Sequence, residues 1–273
     1  MRSWSVSQIR DFHGCPARWA YRRAGVPEET RAPALVLGSA VHETLAHHLR
    51  QLQAGKTPDV EEGVAVLRGA IFAETAGPSV RWNTAGEDDA VERAVALYRH
   101  WAANFTPPGE IVAIEKELRV ELPGLDLPVV AYPDVVFATA DGDIVMDHKV
   151  SAARPARDEL HDRLDLQLLA LVHAWQETTG RRVIAWRWQH LLKLKSPALF
   201  DVEVLIRREE RERDLRRLAQ IVNPSIRVMT AILEGRLEPP PTTAPMRLCA
   251  SCQFSRRCAA AAGAVRANAV VAS

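Results

Sequence analysis

The chain has 273 residues, enough for one large domain with a substantial core; 47% of them are hydrophobic and 25% charged. These proportions exclude a disordered or fibrous chain as a description of the whole. Because 35 Lys and Arg residues balance 34 Asp and Glu residues, the net charge of +1 indicates no general attraction to nucleic acid. The N-terminus has no apolar signal region and no apolar run is long enough to span a bilayer, so we expect a cytoplasmic protein with no membrane partner.

The first hundred residues carry a helical pattern. A first helix is expected after a cap at Ser5 or Ser7, with Cys15 inside the helix or beside it. An amphipathic pattern that recurs every fourth residue predicts a second helix that begins near Gly38. The apolar pattern of this second helix is followed from Leu35 to about Leu52, and the next two predicted helices cover residues 60–75 and 87–105.

After the Pro107–Gly109 break the apolar period changes to that of strands. Three consecutive strands, expected to be antiparallel, are predicted at residues 111–122, 129–139 and 143–151. A helix at 158–179, a strand at 183–194 and a charged helix at 207–234 follow. This order predicts an α/β fold with a central mixed sheet flanked by helices and with a helical elaboration before the sheet.

Three polar residues in the predicted hairpin form a candidate site. Alternation along the strand places Asp147 and Lys149 on one face, and the hairpin turn brings Asp134 close to Asp147. Paired carboxylates suit Mg²⁺ or Mn²⁺, and a lysine can orient water and offset charge on a phosphate, which together favour phosphodiester hydrolysis. A solvated salt bridge is the alternative, but the apolar flank at 144–146 makes it less suitable.

Pro133-Asp134 followed by Asp147-His148-Lys149 resembles the signature of the PD-(D/E)XK nuclease superfamily, in particular RecB-like exonucleases and iron-sulfur exonucleases associated with CRISPR adaptation. The likeness extends over nearly the whole chain and implies a restriction-endonuclease-like fold. It divides the chain into an N-terminal helix with the first cysteine at 1–34, a nuclease domain at 35–237 with an elaboration at about 50–108, and a proline-rich connector with a cluster-binding segment and tail at 238–273.

The resemblance also implies a role for each matching residue. The ion would be bound by His42, Asp134, Asp147 and the backbone carbonyl of His148. Lys149 would be the catalytic lysine, Glu115 would support the metal or its water, and Gln167 would be the glutamine on the helix that follows. Two positions depart from the family's pattern in the region that contacts substrate: Ala131 where glycine is common, and Leu171 where tyrosine often follows the glutamine.

Four cysteines form a second motif. Cys249, Cys252 and Cys258 have the spacing C-x2-C-x5-C, and Cys15 stands alone far earlier in the chain. In a reducing compartment this pattern indicates metal ligation, and it favours a [4Fe-4S] cluster over a zinc ribbon. It also resembles the iron-sulfur motif of the same exonucleases, so we expect a clamp that joins the N- and C-terminal segments.

The expected partner is DNA, mainly single-stranded ends, with a helicase or a CRISPR adaptation protein as a further partner. Basic residues near the cysteines would form a phosphate-binding patch: Arg18, Arg22, Arg23, Arg247, Arg256 and Arg257. Trp19 or Phe254 would stack on bases. The predicted activity is that of an exonuclease in recombination or repair, phage DNA metabolism or CRISPR spacer processing. The alternatives are a nuclease-inactive, DNA-end-binding subunit of a helicase-nuclease complex and a zinc-stabilised interaction protein.

Overall fold

The computed structural model describes residues 3–28, 30–77, 79–82, 86–154, 165–239, 249, 252–255 and 257–258. The helices of this part are α1 (Val6–Gly14), α2 (Pro16–Arg23), α3 (Pro33–Gln53), α4 (Val60–Thr75), α5 (Gly86–Asn104), α6 (Leu166–Thr179) and α7 (Arg211–Leu233). The strands are β1 (Trp4–Ser5), β2 (Thr30–Arg31), β3 (Ser79–Val80), β4 (Glu110–Ile114), β5 (Leu118–Val120), β6 (Val129–Ala131), β7 (Val135–Ala138), β8 (Asp143–Ser151), β9 (Val183–Leu192) and β10 (Ala198–Leu205).

A five-stranded mixed sheet lies at the centre, in the order β10-β9-β8-β7-β4. Its β8 and β9 run parallel, whereas its other neighbouring strands are antiparallel. A second sheet has the order β1-β6-β5, and β2 pairs with β3. The predicted mixed α/β architecture, with sheets flanked by helices, is therefore confirmed. No helix in the described part of the chain is both long and apolar enough to cross a membrane.

Alternating side chains of the central sheet divide the apolar interior into two cores. On one face, Val145 belongs to a core that includes residues of α1, α6 and α7. On the other face, Met146 belongs to a core built with α3, α4 and α5. Because helices cover both faces of the sheet, the central strands consist of nearly continuous apolar residues. A charged residue in the middle of β8 therefore lies between two packed layers.

Local capping explains where several helices begin and end. Ser5 caps α1 by accepting a hydrogen bond of 3.2 Å from the Gln8 N–H, as one of the two predicted caps. Asp165 caps α6 in the same way, and the left-handed Gly180 ends that helix. The expectation that the second helix begins near Gly38 is wrong, because Pro33 supplies an N-terminal proline and the buried Val36 adds a turn.

The first two predicted strands are each broken into two, which corrects the prediction of continuous strands at 111–122 and 129–139. Glu115 has a positive φ of 45°, and Pro133 cannot donate to a strand ladder. The halves before and after these breaks belong to different sheets: β4 and β7 pair in the central sheet, and β5 and β6 pair in the smaller one. The two breaks form a corner beside Asp134.

The second half of the chain differs from prediction at three places. The strand β10 was not predicted, although Val202 and Val204 are buried and alternate with acidic residues. The charged helix begins at Arg211, after a short 3-10 turn. The predicted helix at 158–179 is observed from Leu166 onward, and its earlier portion lies outside the described residues.

Candidate active site

The central strand β8 presents the candidate residues at the level where β7 begins. In the β7–β8 register Val135 lies opposite Met146, so Asp134 comes level with Asp147. Since side chains alternate along β8, Asp147 and Lys149 face the layer of α6, whereas His148 faces the layer of α3. The structure thus brings residues from both layers together at one end of the sheet.

Asp147 is a buried carboxylate, 1% exposed, with two side-chain partners. Lys149 Nζ lies 2.6 Å from its Oδ2, and Gln167 Nε2 donates a hydrogen bond of 2.7 Å to its Oδ1. Burial raises the pKa of Asp147, and the charge of Asp134 adds to this, whereas Lys149 opposes it. Among the described residues, Oδ2 receives no hydrogen bond of acceptable angle, so the ion pair leaves this buried oxygen incompletely satisfied.

Asp134 is held by two histidines. The backbone N–H of His148 donates a hydrogen bond of 2.6 Å to Asp134 Oδ2, and His42 Nδ1 lies 3.3 Å from the same oxygen. Burial acts to raise the pKa of Asp134, but the hydrogen bonds from His148 and His42 outweigh it and hold that pKa well below its ordinary value. Burial likewise acts to lower the pKa of His42, but Asp134 outweighs it and raises that pKa.

Glu115 lies at the corner between the two sheets. Its backbone N–H donates a hydrogen bond of 3.2 Å to the carbonyl of Asp134, which places it next to the site. Its carboxylate, however, pairs with Arg50 Nη2 of α3 at 2.6 Å. In this arrangement Arg50 competes with any ligand or water for the Glu115 side chain.

Gln167 links the site to the N-terminal helix. Its Oε1 accepts hydrogen bonds from Arg10 Nη1 at 2.8 Å and from Lys149 Nζ at 3.4 Å, while its amide nitrogen holds Asp147. Two cations therefore share one neutral acceptor. Sequence reasoning missed Arg10 and Arg50, because both belong to helices far from β8 in sequence and no local pattern indicates their contacts.

The donor set is suitable for a divalent ion. Carboxylate oxygens of Asp134 and Asp147, the His148 carbonyl and the His42 imidazole are ligand types that Mg²⁺ or Mn²⁺ accepts, with imidazole better suited to Mn²⁺. The incompletely satisfied Oδ2 of Asp147 is an acceptor that a cation would complete. Within the described ranges, no three His, Cys, Asp or Glu side chains are arranged closely enough to hold a metal ion. The carboxylates instead pair with the neighbouring cations.

Cys15 lies between α1 and α2, near the three cysteines of the C-terminal motif. Cys15 caps α2, where its Sγ accepts a hydrogen bond of 3.4 Å from the Arg18 N–H. Burial raises the pKa of both the Cys249 and the Cys252 thiols, and the nearby Cys15 and Cys258 raise it further. All four are free thiols. Cys15 thus lies near the C-terminal motif, although among the described residues no three of these thiols are arranged to hold a metal ion.

Aromatic packing fixes the C-terminal segment against α2. The rings of Tyr21 and Phe254 lie 5.4 Å apart, and Tyr21 Oη donates a hydrogen bond of 3.3 Å to the carbonyl of Arg257. Phe254 is fully buried and Trp19 is 1% exposed, so the prediction that either stacks on bases is wrong. Both rings are used for packing.

The expected basic patch is partly neutralised. Arg18 and Arg22 each pair with Asp11 at 2.8 Å, and Arg22 also pairs with Glu28 at 3.1 Å. Two further arginines of the predicted patch, Arg247 and Arg256, lie outside the described residues. The charge near the cysteines is therefore lower than the count of arginines indicates.

Comparison with known proteins identifies the family and a similar fold. The chain is similar in structure to a candidate exonuclease from Eubacterium rectale, with 15% identity and a TM-score of 0.55 over 94% of this chain and 88% of that chain. SSO0001 is 12% identical and covers 92% of this chain and 96% of its own, but its TM-score of 0.36 is too low to establish a common fold. No curated protein gives a significant match. Residues 3–259 match the family model of the PD-(D/E)XK nuclease superfamily, and the chain therefore belongs to that superfamily.

Proposed function

We propose that the protein is a Mg²⁺- or Mn²⁺-dependent exonuclease that hydrolyses phosphodiester bonds at DNA ends, mainly of single strands. The observation that carries this proposal is the buried Asp147, which is held by Lys149 and Gln167 and lies level with Asp134, in a chain of a nuclease superfamily. Recombination or repair, phage DNA metabolism and CRISPR spacer processing all supply such ends, through a partner such as a helicase or a CRISPR adaptation protein.

The proposed metal ligands are His42, Asp134, Asp147 and the backbone carbonyl of His148. When bound there, a divalent ion supplies Lewis-acid polarisation of the scissile phosphate and lowers the pKa of a water molecule. The raised pKa of Asp147 supports this role, because burial disfavours its charged form and a bound cation would stabilise that form. Asp134 is already held in its charged form by the two histidines.

The other residues would act on the water and the phosphate. Lys149 would orient the attacking water and offset negative charge on the phosphate oxygens. Gln167 fixes both Lys149 and Asp147 through one amide group, so it would hold the lysine and the metal ligand in their positions relative to each other. Glu115 would support the metal or its water after its ion pair with Arg50 opens.

Degradation of end-labelled DNA tests the proposal. We would compare linear single strands, linear duplexes and circular single strands, with Mg²⁺, with Mn²⁺ and with a chelator, for the wild type and Asp147→Asn. Glu203→Gln is a matched control, since it alters an ion pair of 2.6 Å with Arg187 on the opposite face of the sheet from Asp147.

The proposal predicts metal-dependent release of nucleotides from linear single strands, loss of this release in Asp147→Asn and wild-type rates in Glu203→Gln. Cleavage of circles would change the assignment to an endonuclease. Binding to DNA ends without cleavage in either metal would favour the non-catalytic subunit and contradict the proposed activity.

We propose further that Cys15, Cys249, Cys252 and Cys258 bind a [4Fe-4S] cluster with a structural role. Their proximity at the two chain ends supports this, because ligation there would close a very long loop. Anaerobically purified protein should contain iron and sulfide and absorb visible light. Cys15→Ser keeps a side chain that can cap α2 but removes the thiolate, and it should lose the cluster. Stoichiometric zinc without iron would contradict the cluster.

A further inference from the structure

Three side chains form a row across the central sheet, beginning at Lys149. In the β8–β9 register Lys149 lies beside His190, and in the β9–β10 register His190 lies beside Phe200. Neighbours in adjacent strands share a face of the sheet, so the row extends from the candidate active site on the face that carries Asp147. Two strand spacings place the Phe200 backbone about 10 Å from that of Lys149.

The far end of this row has an aromatic surface covered by a cation. The guanidinium carbon of Arg154 lies 4.5 Å from the centre of the Phe200 ring, and the rings of His190 and Phe200 are 6.2 Å apart with a tilt of 41°. Phe200 and His190 are half-buried, whereas Arg154 is exposed. His190 Nδ1 is buried and has no hydrogen-bond partner in the described part of the chain.

The chemistry of the row matches that of a nucleic-acid strand. Lys149 and Arg154 carry positive charge, and no member of the row is acidic. A base can take the place of the guanidinium on the Phe200 face, and the displaced guanidinium can then pair with a phosphate. A base in a duplex is already stacked on its neighbours and paired, so only an unpaired base can use this position without an added cost.

We propose that Phe200 and Arg154 form a base-stacking subsite that binds an unpaired nucleotide next to the bond that is cleaved. The inference rests on the proposed function and deepens it, because it locates the preference for single strands in the sheet itself. The span of about 10 Å corresponds to one or two nucleotides from the phosphate at Lys149.

The test uses single-stranded oligonucleotides with one 2-aminopurine at successive positions from either end, since the fluorescence of this base falls when it stacks. Binding is measured in the Asp147→Asn background, so that the strand stays intact. Phe200→Leu keeps an apolar side chain but removes the stacking face, Phe200→Trp restores a stacking face, and Phe72→Leu is the control at an exposed phenylalanine of α4, 76% exposed.

We expect the wild-type Phe200 chain to quench 2-aminopurine at one or two positions. Phe200→Leu should lose this quenching and bind single strands about tenfold or more weakly, and Phe200→Trp should restore both. Arg154→Gln should weaken binding and reduce its salt dependence. Equal quenching and affinity in Phe200→Leu and Phe72→Leu would overturn the subsite. If the wild type cleaves DNA and Asp147→Asn does not, that result leaves the proposed function intact; if neither chain is a nuclease, the function itself fails.

Discussion

The substitution Gln167→Ala tests how the site is held together. It removes the hydrogen bond of 2.7 Å to Asp147 Oδ1 and the acceptor shared by Lys149 and Arg10. Because Asp147 is 1% exposed, water cannot replace the lost donor at no cost, and the carboxylate keeps only its ion pair with Lys149. We expect the side chains of Asp147 and Lys149 to move from their present positions.

The size of the effect follows from the hydrogen bond. A hydrogen bond to a charged group contributes about 1.5–3 kcal/mol, and if this is lost from the transition state, kcat falls about 10- to 100-fold. The assay is single-turnover release of labelled nucleotides from single-stranded DNA. Gln176→Ala is the matched control on the same helix. It removes the hydrogen bond of 3.2 Å that the Val183 N–H donates to Gln176 Oε1, at a position remote from Asp147. Equal rates in the two variants would refute the reasoning.

Three further predictions concern stability and substrate contact. Among the described residues, Arg181→Leu leaves the fully buried Asp143 with Trp175 as its side-chain partner and should lower the midpoint of urea unfolding. Arg182→Leu should leave that midpoint nearly unchanged. Burial, together with the charge of His47, lowers the pKa of His48, so the stability that neutral His48 contributes above about pH 6.5 is lost as the pH falls. The urea midpoint should therefore decline less between pH 7.5 and 5 in His48→Gln than in the wild type. Arg10→Gln should weaken single-strand binding and reduce the slope of log affinity against log salt by about 0.7, as measured by fluorescence anisotropy.

Much of the fold could be predicted because its signals are local. The apolar periods of α4, α5, β8 and β9 lie within single segments, and their bounds agree with prediction within a few residues. The break at Glu115 could not be placed in the same way, because it depends on how β4 and β7 pair across the sheet, whereas Pro133 was a local signal for the second break. The strand β10 carries an alternating pattern of two valines and two acidic residues, which is a usable signal that the sequence interpretation missed.

The candidate site was predictable only in part. Strand alternation placed Asp147 and Lys149 on one face, and the apolar flank of Asp147 indicated the burial that is observed. The contacts of Arg10 and Arg50 depend on the packing of α1 and α3 against the sheet, so no local pattern could indicate them. The prediction for Trp19 and Phe254 was wrong, because these aromatic residues beside arginines were expected at an exposed DNA-binding surface. Both side chains are buried.

The most direct test of the proposed mechanism separates ion binding from catalysis. Lys149→Met removes the ammonium 2.6 Å from Asp147 Oδ2 but leaves every proposed metal ligand in place. Calorimetric titration with Mn²⁺ and cleavage of single-stranded DNA should be measured on the same preparation. We expect Mn²⁺ binding to persist while the cleavage rate falls about 100-fold or more. Cleavage by Lys149→Met within about twofold of the wild type would contradict it.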